Sequence, residues 1–348
     1  MSSSTSRPGS RRSSRRVARR GSAVLAGAVL LLGVSACGSD DDSPAATAAP
    51  ATTTAPTTPA TTPADPAAPA TDAPVASAAG TTPDAPTEPP TKIVSLFPTA
   101  TEMLYAIGAG DQVIAVDDQS NFPAEAAAKK TDLSGFTPNV EAIAGYEPDL
   151  VAIDGTVPDL QGQLEALGIT VWVGPTAATF DDIYTEIEQL GALTGHVGEA
   201  AEVVGQMQTG IDAAVASVPK LDQPPSYYHE LDNTYYSITS NTFIGQVYSL
   251  FGLVDIADKA EAGTDYPQLS AEFIISQSPD LIFLADAGFG ESAETVTARD
   301  GWADISAVKT GSIIAVDADI ASRWGPRIVD YVQTVADAVN EVALLSAG

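Results

Sequence analysis

Glu141-Ala142-Ile143-Ala144-Gly145-Tyr146-Glu147-Pro148-Asp149-Leu150-Val151 and Glu272-Phe273-Ile274-Ile275-Ser276-Gln277-Ser278-Pro279-Asp280-Leu281-Ile282 share one pattern. In each, a glutamate is followed two residues later by isoleucine and seven residues later by Pro-Asp, and a short apolar run closes the unit. Each copy reads as a glutamate early in a short helix, a Pro-Asp turn and a buried strand. Local chemistry accounts for either copy alone, because an acid early in a helix meets the positive end of the helix dipole. It does not account for one copy in each half. Two homologous lobes do.

The surroundings of each copy support that reading. Ile93-Val94-Ser95-Leu96 is a short strand, Pro98 to Ile107 a helix closed by Gly108 and Gly110, and Val113-Ile114-Ala115-Val116 a second strand. Leu160 to Leu167 is a helix stopped by Gly168, and Thr170 to Val173 a strand. In the second half, Tyr227 to Leu231 and Tyr235 to Thr239 read as strands, as do Leu281 to Leu284 and Ile313 to Val316. Phe243 to Phe251 reads as a helix, and Arg327 to Leu345 as the last one. Alternating strands and helices imply an α/β fold with mostly parallel, Rossmann-like sheets. Between the halves, Thr179-Phe180-Asp181-Asp182 starts a capped helix. After Gly195, apolar residues recur at Ala201, Val204, Met207, Ile211, Val215 and Val218, the spacing of one long connecting helix.

The amino-terminal end reads as an address. Seven of the 16 bases are arginines within the first 20 residues, and no acid precedes Asp40. The apolar run Ala23 to Val34 is too short to span a bilayer and suits a signal peptide. It leads into Val34-Ser35-Ala36-Cys37, which resembles a lipobox and makes Cys37, the chain's single cysteine, the candidate lipidation site. The segment that follows is rich in Ala, Thr and Pro, with 12 of the 25 prolines between Pro44 and Pro90. With almost no large apolar residue it cannot offset its own ordering entropy, so it reads as a disordered tether. The expected organisation is therefore a signal peptide over 1–36, a tether over 37–91, an amino-terminal lobe over 92–178, lobe and connecting helices over 179–220, and a carboxy-terminal lobe over 221–348.

Charge and composition exclude several functions. The chain has 45 acidic against 16 basic side chains, a formal net charge of −29. Removal of the first 36 residues leaves nine bases. Such a surface lacks the basic footprint of a nucleic-acid binder. A lone cysteine permits no intramolecular disulfide or cysteine metal knuckle, and there are only two histidines, His196 and His229. No Gly-x-Ser-x-Gly, His-Glu-x-x-His or Walker loop occurs. The expectation is a binding protein without catalysis or resident cofactor. A sensor or scaffold lipoprotein of the same fold, and a metalloenzyme, are the alternatives.

Ile93-Val94-Ser95-Leu96-x-Pro98-x3-Glu102, Asn139-Val140-Glu141 with Pro148-Asp149-Leu150, Pro267-Gln268-Leu269-Ser270-x-Glu272, and Arg323-Trp324-Gly325-Pro326-Arg327 together carry a family resemblance. From about Lys92 to Ala347 the chain resembles the helical-backbone (class III) periplasmic substrate-binding proteins. These serve ABC importers of ferric siderophores, haem and cobalamin. The resemblance implies an iron- or cobalt-containing chelate held between the lobes, a permease and its ATPase as partners, and a monomer anchored outside the cell membrane through Cys37.

It also implies residue roles. Glu141 and Glu272 match the glutamates that dock on permease arginines. Tyr266 matches an aromatic pocket position, and Asp319 and Arg323 a polar stretch near the cleft. Trp324, Phe136, Gln119 and Tyr236 complete the candidate ligand-binding set. The chain departs from the cobalamin-binding relatives at Gln119 and Gly135, where those carry aromatics, with Phe122 and Phe136 as near neighbours. Tyr227, Tyr228, Tyr235 and Tyr236 bracket His229, and a tyrosine with a histidine could ligate haem iron directly.

Overall fold

The computed structural model describes residues 88–221, 223–260 and 263–347. The basic segment, the apolar run, Cys37 and the tether up to residue 87 lie outside the described residues.

The first half contributes strands β1 (Ile93–Ser95), β2 (Val113–Val116), β3 (Leu150–Ile153) and β4 (Thr170–Val173). All are parallel, in the order β2-β1-β3-β4. The second half contributes β5 (Ser226–Glu230), β6 (Val254–Asp255), β7 (Leu281–Leu284) and β8 (Ile313–Ala315), again all parallel, in the order β6-β5-β7-β8. The two sheets therefore have the same topology.

Helices α1 (Pro98–Ala106), α2 (Ala124–Ala127), α3 (Val140–Ala144) and α4 (Leu160–Glu165) serve the first sheet. Helices α5 (Phe180–Thr194) and α6 (Val197–Ser217) follow it. The second sheet carries α7 (Phe243–Ser249), α8 (Ala271–Gln277), α9 (Ala293–Thr297) and α10 (Ser306–Thr310). Helices α11 (Ala318–Ser322) and α12 (Ile328–Ala347) end the chain.

Local chemistry sets the boundaries around the connecting helix. Thr179 and Asp182 form the reciprocal capping box that starts α5. Gly195, at φ 82°, supplies the left-handed residue that ends α5 and lets α6 begin two residues later. At about 1.5 Å per residue, α6 is a rod of about 31 Å joining the sheets. It packs against α5 and α12.

The period of the strands divides the core. Ile93 and Tyr227 point into one continuous cluster that also takes Met207 and Ile211 of α6 and Tyr331, Val335 and Val339 of α12. Val94 and Val151 point into a separate cluster on the other face of the first sheet, and Tyr228 and Ile282 into its counterpart on the second. One shared apolar core thus binds both lobes to the connecting helices, which favours small adjustments over wide hinge opening.

One expected element differs. Residues 235–239 belong to neither sheet. Both flanks of β5 are already taken, by β6 and β7. The chain reverses after β5 through an Asx turn, in which Asp232 Oδ1 accepts from the Thr234 amide at 2.8 Å, and Tyr235 adopts φ 70°. The segment then runs antiparallel to 265–269: the Ser237 amide donates to Pro267 O, the Thr239 amide to Asp265 O and the Leu269 amide to Tyr235 O.

Candidate functional site

In parallel α/β sheets, ligand sites form at the carboxyl ends of the strands. In the first lobe, β1 ends at Ser95, and Pro98 starts α1 almost at once. The Thr101 hydroxyl donates to Ser95 Oγ at 2.8 Å and lies 2.9 Å from Ser120 Oγ. Asp117 Oδ1 accepts from the Gln119 and Ser120 amides at 3.2 and 2.7 Å. The loop after β2 is thereby held in one course, which presents Gln119 and Asn121 to the chain's last segment.

That segment brings three candidate residues together. Arg323 donates to Gln119 O at 3.1 Å, to Asn121 Oδ1 at 2.6 Å and to Glu102 Oε1 at 3.2 Å, and pairs with Asp319 Oδ1 at 2.9 Å. Asn121 also donates to Asp319 Oδ2 at 2.8 Å. Glu102, almost fully buried on α1, accepts in addition from Arg327, through Nε at 2.7 Å and through Nη2. Gln119, Asp319 and Arg323 thus form one polar cluster tying α11 and the start of α12 to the first lobe. Sequence reasoning assigned Glu102 no role. The available signal was an acid between Ala100, Thr101, Met103 and Leu104, in a helix with no other charge. An acid buried there requires cations.

A pocket of about 200 Å³ opens beside this cluster, at the carboxyl ends of β1, β3 and β4. Phe97, Thr99, Asp154, Thr156, Glu186 and Trp324 line it. Trp324 is half-buried, donates through Nε1 to Ala321 O at 3.1 Å, and lies 4.7 Å ring to ring from Phe243. Glu186, on α5, is 2 % exposed, and its Oε1 has no hydrogen-bond partner. Burial, with a smaller contribution from Asp182, pushes its pKa up to about 8.

The second lobe presents tyrosines at the matching edge. Tyr236 and Gln268 form an antiparallel bridge, which makes Tyr266 a diagonal neighbour of Tyr236. The two residues are 41 % and 47 % exposed. In the same lobe, Glu230 ends β5 fully buried and receives Arg299 bidentately, at 2.6 and 2.5 Å. Arg299 also pairs with Glu291 at 2.8 Å and lies over the rings of Trp302 and Tyr235.

Phe136 is 73 % exposed, in the loop that crosses the ends of β1 and β2. Its neighbour Gly135 approaches so closely that a Cβ would stand 2.4 Å from Leu96 O. An aromatic cannot occupy that position while the loop keeps this course. Phe122 is engaged elsewhere, its ring 4.2 Å beneath the Arg327 guanidinium.

The expectation that a tyrosine and histidine of β5 reach a ligand is corrected. Tyr227, Tyr228 and His229 are sealed in the core. The Tyr227 hydroxyl donates to Asp255 Oδ2 at 2.7 Å, and His229 Nδ1 is 2.7 Å from the Tyr248 hydroxyl. Burial pushes the His229 pKa down to about 3, so the ring is neutral. The central strand of a sheet covered on both faces leaves these side chains no route to solvent.

Glu141 and Glu272 occupy equivalent places. Asn139 caps α3 by accepting from the Ala142 amide at 3.1 Å, and Ser270 caps α8 by accepting from the Phe273 amide at 3.2 Å. Each glutamate is the second residue of its helix, and both are exposed. The Pro-Asp turns do more than reverse the chain. Asp149 Oδ2 accepts from the Thr91 and Lys92 amides ahead of β1, and Asp280 Oδ2 from the Ser226 amide that opens β5.

Residues 93–320 match the periplasmic binding protein family. A cobalamin-binding protein of Halobacterium salinarum is 32 % identical over 262 residues, covering 73 % of this chain and 70 % of that protein. YvrC of Bacillus subtilis, an ABC transporter substrate-binding lipoprotein, is 30 % identical over 258 residues, covering 71 % of this chain and 79 % of its own. The crystal structure of a possible iron-binding, periplasmic solute-binding protein of Staphylococcus epidermidis superposes with a TM-score of 0.63 at 26 % identity, covering 72 % of this chain and 99 % of that one. With two equivalent sheets, the repeated glutamate unit and a match running across both lobes, the chain belongs to the periplasmic binding protein family.

Proposed function

We propose that the protein is an extracytoplasmic, lipid-anchored substrate-binding protein that captures a metal chelate between its lobes and delivers it to an ABC permease. The observation that carries this reading is the pair Glu141 and Glu272: one exposed glutamate per lobe, each on the first turn of a side-chain-capped helix. Two carboxylates fixed on one rigid body suit two cationic sockets on a membrane partner, where charge complementarity sets orientation and encounter rate. Cys37, lipidated, anchors the tether, and the folded body is a monomer.

The chelate is of cobalamin or ferric-siderophore type, in keeping with the cobalamin-binding and iron-binding relatives. Phe136, Tyr236, Tyr266 and Trp324 pack against its apolar surface. Gln119, Asp319 and Arg323 hold its polar edge, which requires their cluster to exchange one internal contact for a ligand contact. No chemistry is performed on the ligand.

Trp172 and Trp302 are fully buried, whereas Trp324 lines the pocket, so intrinsic fluorescence reports on that region. Titration of residues 91–348 with cobalamin, haem and ferric hydroxamate siderophores, checked by calorimetry, is expected to show saturable binding by one of them at micromolar strength or tighter. Absence of saturation by every chelate would overturn the assignment of cargo. Conversion of Cys37 to Ser, with loss of fatty-acid labelling and release of the protein from membranes, tests the anchor.

A further inference from the structure

The pocket at the carboxyl ends of β1, β3 and β4 contains an acid with a buried oxygen that no side chain or amide answers among the described residues. Glu186 is 2 % exposed, lines the pocket, and leaves Oε1 without a hydrogen-bond partner. A buried carboxyl group in that state costs free energy unless it is protonated or meets a donor. Among the described residues, the pocket's two titratable lining side chains are Glu186 and Asp154, and no Lys, Arg or His lines it. Asp154 already accepts from the Thr156 amide and hydroxyl, at 3.0 and 2.8 Å. Asp182, one turn earlier on α5, adds further negative potential at Glu186. The aromatic walls are Phe97 and Trp324, whose rings attract cations through their quadrupoles. Unpaired acid, aromatic walls and no competing base form a cation-selective arrangement.

We propose that this pocket binds a primary ammonium group carried on the periphery of the ligand, with the Glu186 carboxylate as its counter-ion and Phe97 and Trp324 as its walls. The inference rests on the binding role proposed above and adds the class of group that the first lobe recognises. Its proton balance is definite. In the empty protein Glu186 holds a proton through neutral pH, because burial raises its pKa to about 8. Entry of an ammonium group forms the ion pair and releases that proton to solvent. Binding below about pH 8 therefore tightens as pH rises, by up to tenfold per pH unit.

The test uses n-butylammonium chloride as probe and 1-butanol as its neutral counterpart, with Trp324 fluorescence and ligand-observed NMR as readouts. The expected result is saturable binding of butylammonium at millimolar concentration, tightening from pH 6 to pH 8, and at least tenfold weaker binding of butanol. Glu186→Gln is expected to weaken butylammonium tenfold or more and to abolish the pH dependence. Glu188→Gln, an identical change on the exposed side of the same helix, leaves both unchanged. Circular dichroism and thermal melts establish that the variants are folded. Equal binding of butanol and butylammonium, or an unaltered affinity in Glu186→Gln, would overturn the proposal. If chelates bind while butylammonium does not, only this inference fails. If butylammonium binds while no chelate saturates, the pocket assignment stands and the chelate reading falls.

Discussion

The central strand of the first sheet is Ile93-Val94-Ser95, and that of the second is Ser226-Tyr227-Tyr228-His229-Glu230. Both occupy the same place in the same strand order. The first makes two side-chain polar contacts, both at Ser95 Oγ, which accepts from the Thr101 hydroxyl and donates to Phe97 O. The second is threaded through a network: Tyr227 to Asp255, His229 to Tyr248, Tyr248 to Tyr331, and Glu230 to Arg299. One topology thus accepts an aliphatic or a polar centre, provided that the polar groups find partners. In the second lobe some do not. The Tyr228 hydroxyl, His229 Nε2 and both Asp286 carboxylate oxygens are buried and unpartnered. The central strand of the second sheet is therefore tied to buried charge in a way that the central strand of the first is not, the first lobe carrying its buried acids Glu102 and Glu186 on helices instead, whereas the outward features, the capped glutamates and the Pro-Asp clamps, are alike in both.

The largest effect tests that likeness. Replacing both Glu141 and Glu272 by Lys is expected to reduce ligand uptake in cells by at least about a hundredfold while leaving chelate affinity and thermal stability unchanged. This corresponds to about 1.4 kcal/mol or more per site. The two single reversals are expected to lose uptake to similar extents if the lobes dock equivalently. Loss of ligand binding in either variant would place that glutamate in the cleft or in the fold.

The next effect probes the difference. Arg299→Ala strands Glu230, which is fully buried, beside Asp286. Removing one partner of a buried pair costs about 3–5 kcal/mol, measurable as a fall in the urea midpoint. A cost below about 1 kcal/mol would show that the pair is solvated in solution.

The parts of this molecule readable from sequence are those whose cause is local. The capping box at Thr179, the break at Gly195 and the apolar period of α6 all act within a few residues; Val204, Met207 and Ile211 stand on the buried face as their spacing places them, whereas Ala201 is exposed with Ala200 in its stead and Val218 falls just beyond the helix. Residues 227–231 read as a strand and form β5, yet 235–239, which read alike, join neither sheet, because both sheet positions beside β5 are filled by distant chain. Long-range pairings leave no local trace. Arg323 and Glu102 meet across 221 residues, and Arg327 and Glu102 across 225. The motif Arg323-Trp324-Gly325-Pro326-Arg327 carries both arginines without revealing the acid they share. Asp149 read as an ordinary turn residue because its partners, Thr91 and Lys92, precede it by 58 and 57 residues.

A third prediction concerns pH. Burial, followed by the nearby charge of Glu230, pushes the Asp286 pKa up from 3.8 to about 6; Glu291 raises it further and Arg299 opposes. In the unfolded chain the same carboxyl ionises near its ordinary value, so between about pH 4 and 6 the folded state binds more protons. Stability then falls as pH rises through that window and levels off above it. Asp286→Asn is expected to lack this fall and to melt a few degrees higher than the wild type at pH 7, at about 2–4 °C per kcal/mol for a protein of this size. An identical pH profile in the two proteins would show that Asp286 finds a partner in solution.

The smallest effect separates the two clamps. Asp280 is half-buried and ties the Ser226 amide and hydroxyl through Oδ2 and the Ser306 hydroxyl through Oδ1, at 2.9, 3.0 and 3.0 Å. Asp149 is exposed and takes the Thr91 amide, the Thr91 hydroxyl and the Lys92 amide through Oδ2 alone. The number of bonds is equal, but burial is not, and a donor left unmet costs more where water cannot replace its partner. Asp280→Ala is therefore expected to destabilise by about 1–2 kcal/mol and Asp149→Ala by about 0.5–1 kcal/mol. Acid distinguishes them further. The Thr91 amide and hydroxyl and the Lys92 amide hold the Asp149 carboxyl below its ordinary pKa, so its contribution is present above the unfolded value and lost as pH falls through the folded one. The gap between wild type and Asp149→Ala should therefore narrow as pH falls below the ordinary carboxylate range, where the folded carboxylate itself becomes protonated. Equal costs for the two alanine variants at pH 7 would mean that the clamps are interchangeable despite their difference in burial, and that strand pairing rather than solvent exclusion sets their worth.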